Sequence, residues 1–181
     1  MKKVISYIAL FIFFISFVYK NILAENSYVD LELVLAVDVS SSVDEEEYQL
    51  QIRGVGAAFR HPDIIAAIES TGGNGIAVGM VQWSDNEEQA LVGGWHIIKD
   101  AADAAEYARI IRRAPRVIAG GQTSIAGALI FSIDQINNNN IDSSRKVIDV
   151  SGDGRANNGV HPMQIRDIAL DQNITINGLV I

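Results

Sequence analysis

Oxygen-bearing side chains occur at alternate positions in the segment Asp38-Val39-Ser40-Ser41-Ser42. In an extended loop, alternate side chains point the same way, so one carboxylate and two hydroxyls can face a common point. Such hard oxygen ligands suit Mg²⁺, Mn²⁺ and Ca²⁺, whereas zinc and copper favour imidazole or thiolate ligands. The segment therefore predicts a divalent-metal site at Asp38, Ser40 and Ser42.

Two later segments offer further oxygen ligands for the same ion. Thr123 follows Gly120-Gly121 at a predicted helix start, and Asp153 comes just after a predicted strand. Because open α/β sheets bind ligands at the carboxyl edge of their strands, we expect Thr123 and Asp153 to meet Asp38 there. Mg²⁺ is the predicted ion, because it tolerates few protein ligands and keeps its waters, and Mn²⁺ and Ca²⁺ remain alternatives.

The predicted ligand set has a consequence for binding partners. It contains only two carboxylates, Asp38 and Asp153, and one of these can act through water. A divalent ion held in this way stays electron-poor, and a carboxylate from another molecule can complete its shell through a charge-assisted contact. The ligand set thus gives a physical reason for such a site to bind acidic groups of another molecule.

Strands and helices must bring these ligands together. The apolar run at residues 31–37 lacks clean alternation, as is typical of a strand buried on both faces of a parallel sheet. Further strands are predicted at residues 76–83, 90–98, 146–150 and 174–181. The turn at residues 84–88 is too short for a parallel crossover, so it predicts an antiparallel hairpin. The order of elements predicts an α/β fold whose mostly parallel central sheet has one antiparallel edge strand and helices on both faces.

The first 24 residues have the layout of a secretory signal peptide. A basic start precedes an apolar run at residues 4–19, and Ala24 is a suitable residue before a cleavage point. The run is shorter than the roughly 20 residues that a membrane-spanning helix needs, although an uncleaved anchor is an alternative. We therefore predict a signal peptide at residues 1–24 and a periplasmic or secreted domain at residues 25–181, with no membrane contact after cleavage.

Composition excludes several function classes. The sequence contains no cysteine, so disulfides, zinc–thiolate sites and a cysteine nucleophile are excluded. The net charge of −8 repels nucleic acid phosphates, and no run of Lys and Arg predicts a basic stripe. The nearest candidates, Arg112, Arg113 and Arg116, are predicted to lie at the end of a helix and in the loop that follows, where cations oppose the helix dipole. We therefore expect no nucleic-acid partner.

The three segments together resemble a known metal site. Asp38-x-Ser40-x-Ser42, Thr123 ahead of a helix, and Asp153 after a strand resemble the metal-ion-dependent adhesion site (MIDAS) of von Willebrand factor type A (vWA) domains. The resemblance covers about residues 30–181, and residues 29–59 look particularly like an uncharacterised, secreted bacterial branch of that superfamily. It implies a Rossmann-like vWA fold and metal-dependent protein binding, with all five residues ligating the ion directly or through water.

The sequence departs from the family pattern in two ways. Gly152 stands where vWA domains usually carry a threonine before the late aspartate. The family's domain also normally continues with a further strand and a final helix, whereas this sequence stops at Ile181, inside or just after its fifth predicted strand. We therefore expect a C-terminally truncated domain whose last strand leaves apolar side chains at an uncovered sheet edge.

The sequence is also compatible with other functions. An aspartate at a strand end can be the nucleophile of a metal-dependent hydrolase or phosphoryl-transfer enzyme. Against an enzyme, Ser40 stands where a second acid is expected, and the three site loops offer no plausible catalytic Lys or His. A truncated, non-functional remnant is a further alternative. The hydroxyl of Thr123 can cap a helix instead of ligating a metal.

Overall fold

The computed structural model describes residues 27–181; the predicted signal peptide, residues 1–24, lies outside the described residues. The strands are β1 (Ser27–Val29), β2 (Leu31–Asp38), β3 (Ile76–Trp83), β4 (Gln89–Ile98), β5 (Ile141–Ser143), β6 (Lys146–Gly152) and β7 (Ile174–Val180). The helices are α1 (Glu45–Ala58), α2 (Pro62–Glu69), α3 (Ala101–Ile111), α4 (Ile125–Asn137) and α5 (Pro162–Asp171).

The central sheet has five strands in the order β4-β3-β2-β6-β7. Strands β3, β2, β6 and β7 are parallel, and β4 pairs antiparallel with β3. This arrangement confirms the predicted fold class, including the single antiparallel edge strand. All four parallel strands end at one edge of the sheet, which we call the carboxyl edge. The loops that follow β2 and β6 therefore leave the sheet side by side.

Helices cover both faces of the sheet and produce two apolar cores. One core packs Tyr48 of α1 and Tyr107 of α3 against one face. The other core packs Leu129 of α4 and Ile165 of α5 against the opposite face. Successive residues of β2 contribute to the two cores in turn, which is why its sequence lacks polar alternation.

Helix caps fix where the helices begin. Asp44 and Glu47 form a capping box at α1, in which each carboxylate accepts a hydrogen bond from the other residue's backbone N–H at 2.9 Å. Asp100 caps α3 by accepting from two backbone amides. Asp44 and Asp100 are therefore the N-caps of α1 and α3. The box at Asp44 starts α1 directly after the loop that follows β2.

Two short strands were not predicted from the sequence. Strands β1 and β5 form a separate parallel pair of three residues each. The buried carboxylate of Glu32 lies beside them and accepts hydrogen bonds from Asn139 Nδ2 at 2.6 Å and Ser143 Oγ at 2.5 Å. Segments of three residues are too short to show a two-residue period, so sequence pattern could not reveal them.

Strand β7 lies at the edge of the sheet, as predicted for the last strand. Its apolar residues Leu179 and Val180 are 64% and 86% exposed. None of the helices in residues 27–181 is both long enough and apolar enough to cross a bilayer. Leu179 and Val180 are thus exposed apolar side chains on an edge strand of the central sheet.

Candidate metal centre

The loop after β2 brings its alternate polar side chains together. Asp38 ends β2 and is completely buried, and its Oδ1 accepts a hydrogen bond from the Ser40 backbone N–H at 2.7 Å. The hydroxyls of Ser40 and Ser42 lie 3.2 Å apart. Ser40 is buried and Ser42 is exposed, so the row of oxygens runs from the protein interior to the surface.

The loop after β6 adds a second carboxylate to this row. The Ser42 hydroxyl donates to Asp153 Oδ1 at 2.8 Å, although the two residues are 111 positions apart. Parallel pairing of β2 with β6 places the two loops next to each other. The structure therefore brings together Asp38, Ser40, Ser42 and Asp153, four of the five residues singled out from the sequence.

One oxygen of this cluster has no partner. Asp38 Oδ2 is buried and receives no hydrogen bond within residues 27–181. Burial raises the pKa of the Asp38 carboxyl, the hydrogen bonds from Ser40 oppose that shift, and the charge of Asp153 adds to it. A buried carboxylate oxygen without a donor is costly, and a cation satisfies it. The donor set and the unpartnered oxygen thus fit a divalent metal ion.

Gly152 keeps space open beside that oxygen. A Cβ atom at this position would lie 3.0 Å from Asp38 Oδ2 and 3.4 Å from Cζ2 of the buried Trp83 indole. The position at which the sequence departs from the vWA pattern is thus the one at which a side chain would crowd Oδ2. Among residues 27–181, no three His, Cys, Asp or Glu side chains are placed to share an ion, so a metal at this site depends on the hydroxyls.

Thr123 lies in a third loop that is tied to the other two. The Ser41 backbone N–H donates to the Gly121 carbonyl at 3.0 Å. The Thr123 backbone exchanges two hydrogen bonds with Asn157, at 2.8 and 2.9 Å. The Thr123 hydroxyl makes no hydrogen bond to the four clustered residues within the described chain. Ser124, not Thr123, caps α4 by accepting from the Gly127 N–H at 3.1 Å, so the capping role considered for Thr123 is wrong.

Arg116 holds the loop at residues 39–43, which we call the metal loop, through hydrogen bonds to its backbone. Sequence reasoning missed this role. Its guanidinium donates to the Val39 carbonyl at 2.8 Å, the Val43 carbonyl at 3.0 Å and the Ser40 carbonyl at 3.3 Å. These bonds span the loop that follows Asp38, and they fix its backbone. The sequence predicted Arg116 only as a cation near the end of a helix.

A buried polar network holds the segment that carries Arg116. Gln82 Nε2 donates to the Pro115 carbonyl at 2.7 Å and to the Tyr48 hydroxyl at 2.8 Å, and Gln82 Oε1 accepts from the Val117 N–H at 2.8 Å. The Tyr48 hydroxyl donates to the Ala114 carbonyl at 3.1 Å. Burial, followed by the charge of nearby Glu45, raises the pKa of Tyr48 to about 12, so its hydroxyl stays a neutral donor. Gln82 is a polar residue within an apolar strand, and that is the signal which could have revealed the network.

A family of proteins of unknown function, DUF1194, has a sequence model that matches residues 28–181. The chain belongs to the DUF1194 family. No curated protein matches the chain. The assignment thus gives the DUF1194 chain a family without a known activity.

Solved structures reveal the fold of the DUF1194 chain. Proximal thread matrix protein 1 from the mussel byssus, in a structure with a zinc-occupied MIDAS motif, matches 87% of this chain with a TM-score of 0.67 and 21% identity. The pilus adhesin SpaC from Lactobacillus rhamnosus GG, in an open conformation, matches 83% with a TM-score of 0.57 and 16% identity. An aerotolerance-related membrane protein from Bacteroides fragilis, with multiple mutations to serines, matches 83% with a TM-score of 0.53 and 17% identity.

These similarities establish a vWA fold for the DUF1194 chain, as the sequence resemblance implied. The matched region spans 39% of the mussel protein, 24% of SpaC and 67% of the Bacteroides protein. The chain therefore corresponds to one part of the larger mussel and Lactobacillus proteins.

Proposed function

We propose that the DUF1194 chain is a metal-dependent protein-binding module with its ion at the carboxyl edge of the sheet. The observation that carries this proposal is the buried Asp38 Oδ2, which receives no hydrogen bond from the described residues 27–181 and lies beside the space that Gly152 leaves open. The contacts that link Asp38 through Ser40 and Ser42 to Asp153 support it.

Each residue of the proposed site has a distinct role. Asp38, Ser40 and Ser42 hold the ion from one loop, and Thr123 and Asp153 hold it directly or through water from the other two. Mg²⁺ is the proposed ion, because all the ligands are oxygens and only two of them are carboxylates. The ion, when bound, supplies a Lewis-acidic point for a partner's carboxylate. Arg116 keeps the first loop in place without touching the ion.

We further propose a non-enzymatic role outside the cytoplasm. The neighbours described as a pilus adhesin and a byssal matrix protein support binding over catalysis. His161, which lies between β6 and α5, caps α5, because its Nδ1 accepts a hydrogen bond from the Met163 N–H. We therefore assign this histidine a helix-capping role and no catalytic one. Export is supported by the signal-peptide layout of residues 1–24.

Metal binding is tested first, by calorimetric titration of the purified protein with Mg²⁺, Mn²⁺ and Ca²⁺. We expect saturable binding of one ion to the wild-type protein and none to Asp38→Asn. Asp149→Asn is the matched control, because Asp149 lies on β6, pairs with Asn177 at 2.7 Å and is not part of the site. Equal titration curves for the wild-type protein and Asp38→Asn would remove the basis of the proposal.

Partner chemistry is tested second, on an array of peptides that contain Asp or Glu, each with a matched Asn or Gln peptide. We expect the wild-type protein to retain acidic peptides in magnesium and to release them in chelator. Retention of the amide peptides to the same extent would contradict capture through a carboxylate. Turnover of a generic phosphoester that disappears in Asp38→Asn would instead favour a metal-dependent hydrolase.

A further inference from the structure

Two cavities beside α1 and α3 are lined mainly by arginine side chains. Their volumes are about 410 Å³ and about 360 Å³, and both are lined by Arg60 and Arg112. Together the two cavities gather five arginines, which we call the arginine patch: Arg53, Arg60, Arg109, Arg112 and Arg113. The patch holds five of the 14 Lys and Arg residues of a chain whose net charge is −8. The tertiary structure thus builds the basic surface that the sequence pattern did not predict.

Close packing of α1 on α3 creates the patch. A Cβ atom at Gly56 of α1 would lie 2.7 Å from Arg112 Cγ and 3.3 Å from the Ala108 carbonyl oxygen of α3. Because glycine has no Cβ, the stem of Arg112 can lie against α1. Arg112 thereby lines both cavities, one with Arg53 and one with Arg109.

Within the part of the chain that the structure describes, only one arginine of the patch has an acidic partner. Arg109 pairs with Glu106, with Nε–Oε2 and Nη2–Oε1 distances of 2.8 and 2.5 Å. These hydrogen bonds lower the pKa of Glu106, and the charge of Arg113 adds to the effect. Within residues 27–181, no other arginine of the patch lies within salt-bridge distance of a carboxylate. The other four arginines of the patch are exposed, and their like charges repel one another unless an anion neutralises them.

We propose that the arginine patch binds a ligand that carries at least two phosphate groups. The planar guanidinium presents paired N–H donors that match phosphate oxygens. A phosphate group has more charge and more free oxygens than a carboxylate, so several guanidiniums around one cavity can share it. Two cavities joined by Arg60 and Arg112 fit two such groups on one ligand. The patch uses none of the residues of the metal centre, so this proposal does not depend on the proposed function.

The test is calorimetric titration with sodium tripolyphosphate and with orthophosphate, in buffer freed of metal by resin because chelators are themselves polyanions. We expect tripolyphosphate to bind at least about tenfold more tightly than orthophosphate, and the affinity to fall with added salt. We expect the double variant Arg60→Gln/Arg112→Gln to lose at least about tenfold in tripolyphosphate affinity. The matched control is Arg145→Gln/Arg166→Gln, which removes the same charge outside the patch and should bind as the wild-type protein does.

A gain-of-binding variant keeps the test independent of folding defects. Glu106→Gln frees Arg109 and removes a negative charge, so we expect it to strengthen tripolyphosphate binding by about threefold or more. Weaker or unchanged binding by Glu106→Gln would contradict the proposal. So would equal affinity in Arg60→Gln/Arg112→Gln and the control, or tighter binding of a duplex oligonucleotide than of tripolyphosphate.

Sedimentation with vesicles distinguishes two sources of the phosphate groups, which are lipid headgroups and soluble ligands. Sedimentation of the wild-type protein, but not of Arg60→Gln/Arg112→Gln, with phosphatidylcholine vesicles that contain phosphatidic acid would assign the site to lipid headgroups. Tripolyphosphate binding without sedimentation would assign it to a soluble, multiply phosphorylated ligand. Sedimentation that is equal for both proteins, without tripolyphosphate binding, would overturn the proposal.

Discussion

Asp38→Asn is expected to be more stable than the wild-type protein in the metal-free state and less stable than it in the metal-bound state. The substitution keeps the size of the side chain and an oxygen that can accept from the Ser40 amide. It removes a charge that is disfavoured in the metal-free state by burial and by the nearby charge of Asp153. It also removes the carboxylate that the proposed ion requires.

The expected magnitudes follow from the structure. A buried acceptor without a partner, such as Asp38 Oδ2, costs about 1–3 kcal/mol. We expect Asp38→Asn to recover about 1 kcal/mol of this in chelator, the lower end of the range, because its amide is also buried. For a domain of this size that gain raises Tm by roughly 2–4 °C. An ion present at 100 times its Kd adds about 2.7 kcal/mol to the native wild-type protein, or roughly 5–11 °C.

Thermal unfolding followed by circular dichroism, in chelator and in increasing magnesium, measures both terms. In chelator Asp38→Asn should melt above the wild-type protein, and in magnesium the wild-type protein should melt above Asp38→Asn. Asp149→Asn should keep the full magnesium shift. A melting temperature of Asp38→Asn below that of the wild-type protein in chelator, together with equal magnesium shifts, would refute the reasoning.

Four further predictions concern the same centre. The pKa of Asp38 is raised above its ordinary 3.8 in the folded state, so the charged carboxylate destabilises the metal-free protein. This loss of stability should shrink as pH falls through the raised pKa, because the carboxyl becomes protonated. Calorimetry should show weaker magnesium binding over the same pH window. Gly152→Ala places a Cβ 3.0 Å from Asp38 Oδ2, so magnesium binding should weaken by about 1 kcal/mol or more, as followed by Trp83 fluorescence. Arg116→Gln leaves backbone carbonyls of the metal loop without their donor and should lower the free energy of unfolding by roughly 2–4 kcal/mol in denaturant titrations. Thr123→Ala should weaken magnesium binding at nearly unchanged Tm. Ser124→Ala should lose about 1 kcal/mol of stability with its helix cap and keep magnesium binding. Identical behaviour of the two variants would contradict these separate roles.

The sequence was sufficient for the features that depend on short-range pattern. The apolar run of β2 and the short turn of the hairpin are local, so residue type and spacing predicted them. The meeting of Asp153 with Ser42 spans 111 positions, yet it was also predictable. Parallel strands end at one edge of a sheet, so topology alone places their following loops together.

Other features were decided only by the tertiary structure. Two features depend on how helices and their connecting segments pack. They are the bonds from Arg116 to the loop after β2, and the meeting of Arg53 and Arg60 with the arginines at the end of α3 and just after it. A helical period shows which face of α1 is apolar, but not which helix lies beside it or at what distance. The absence of a donor at Asp38 Oδ2 likewise emerges only when every neighbouring group is in place. Sequence thus predicted the ligands of the proposed metal centre, and packing decided which residues support their loops and which arginines share one surface.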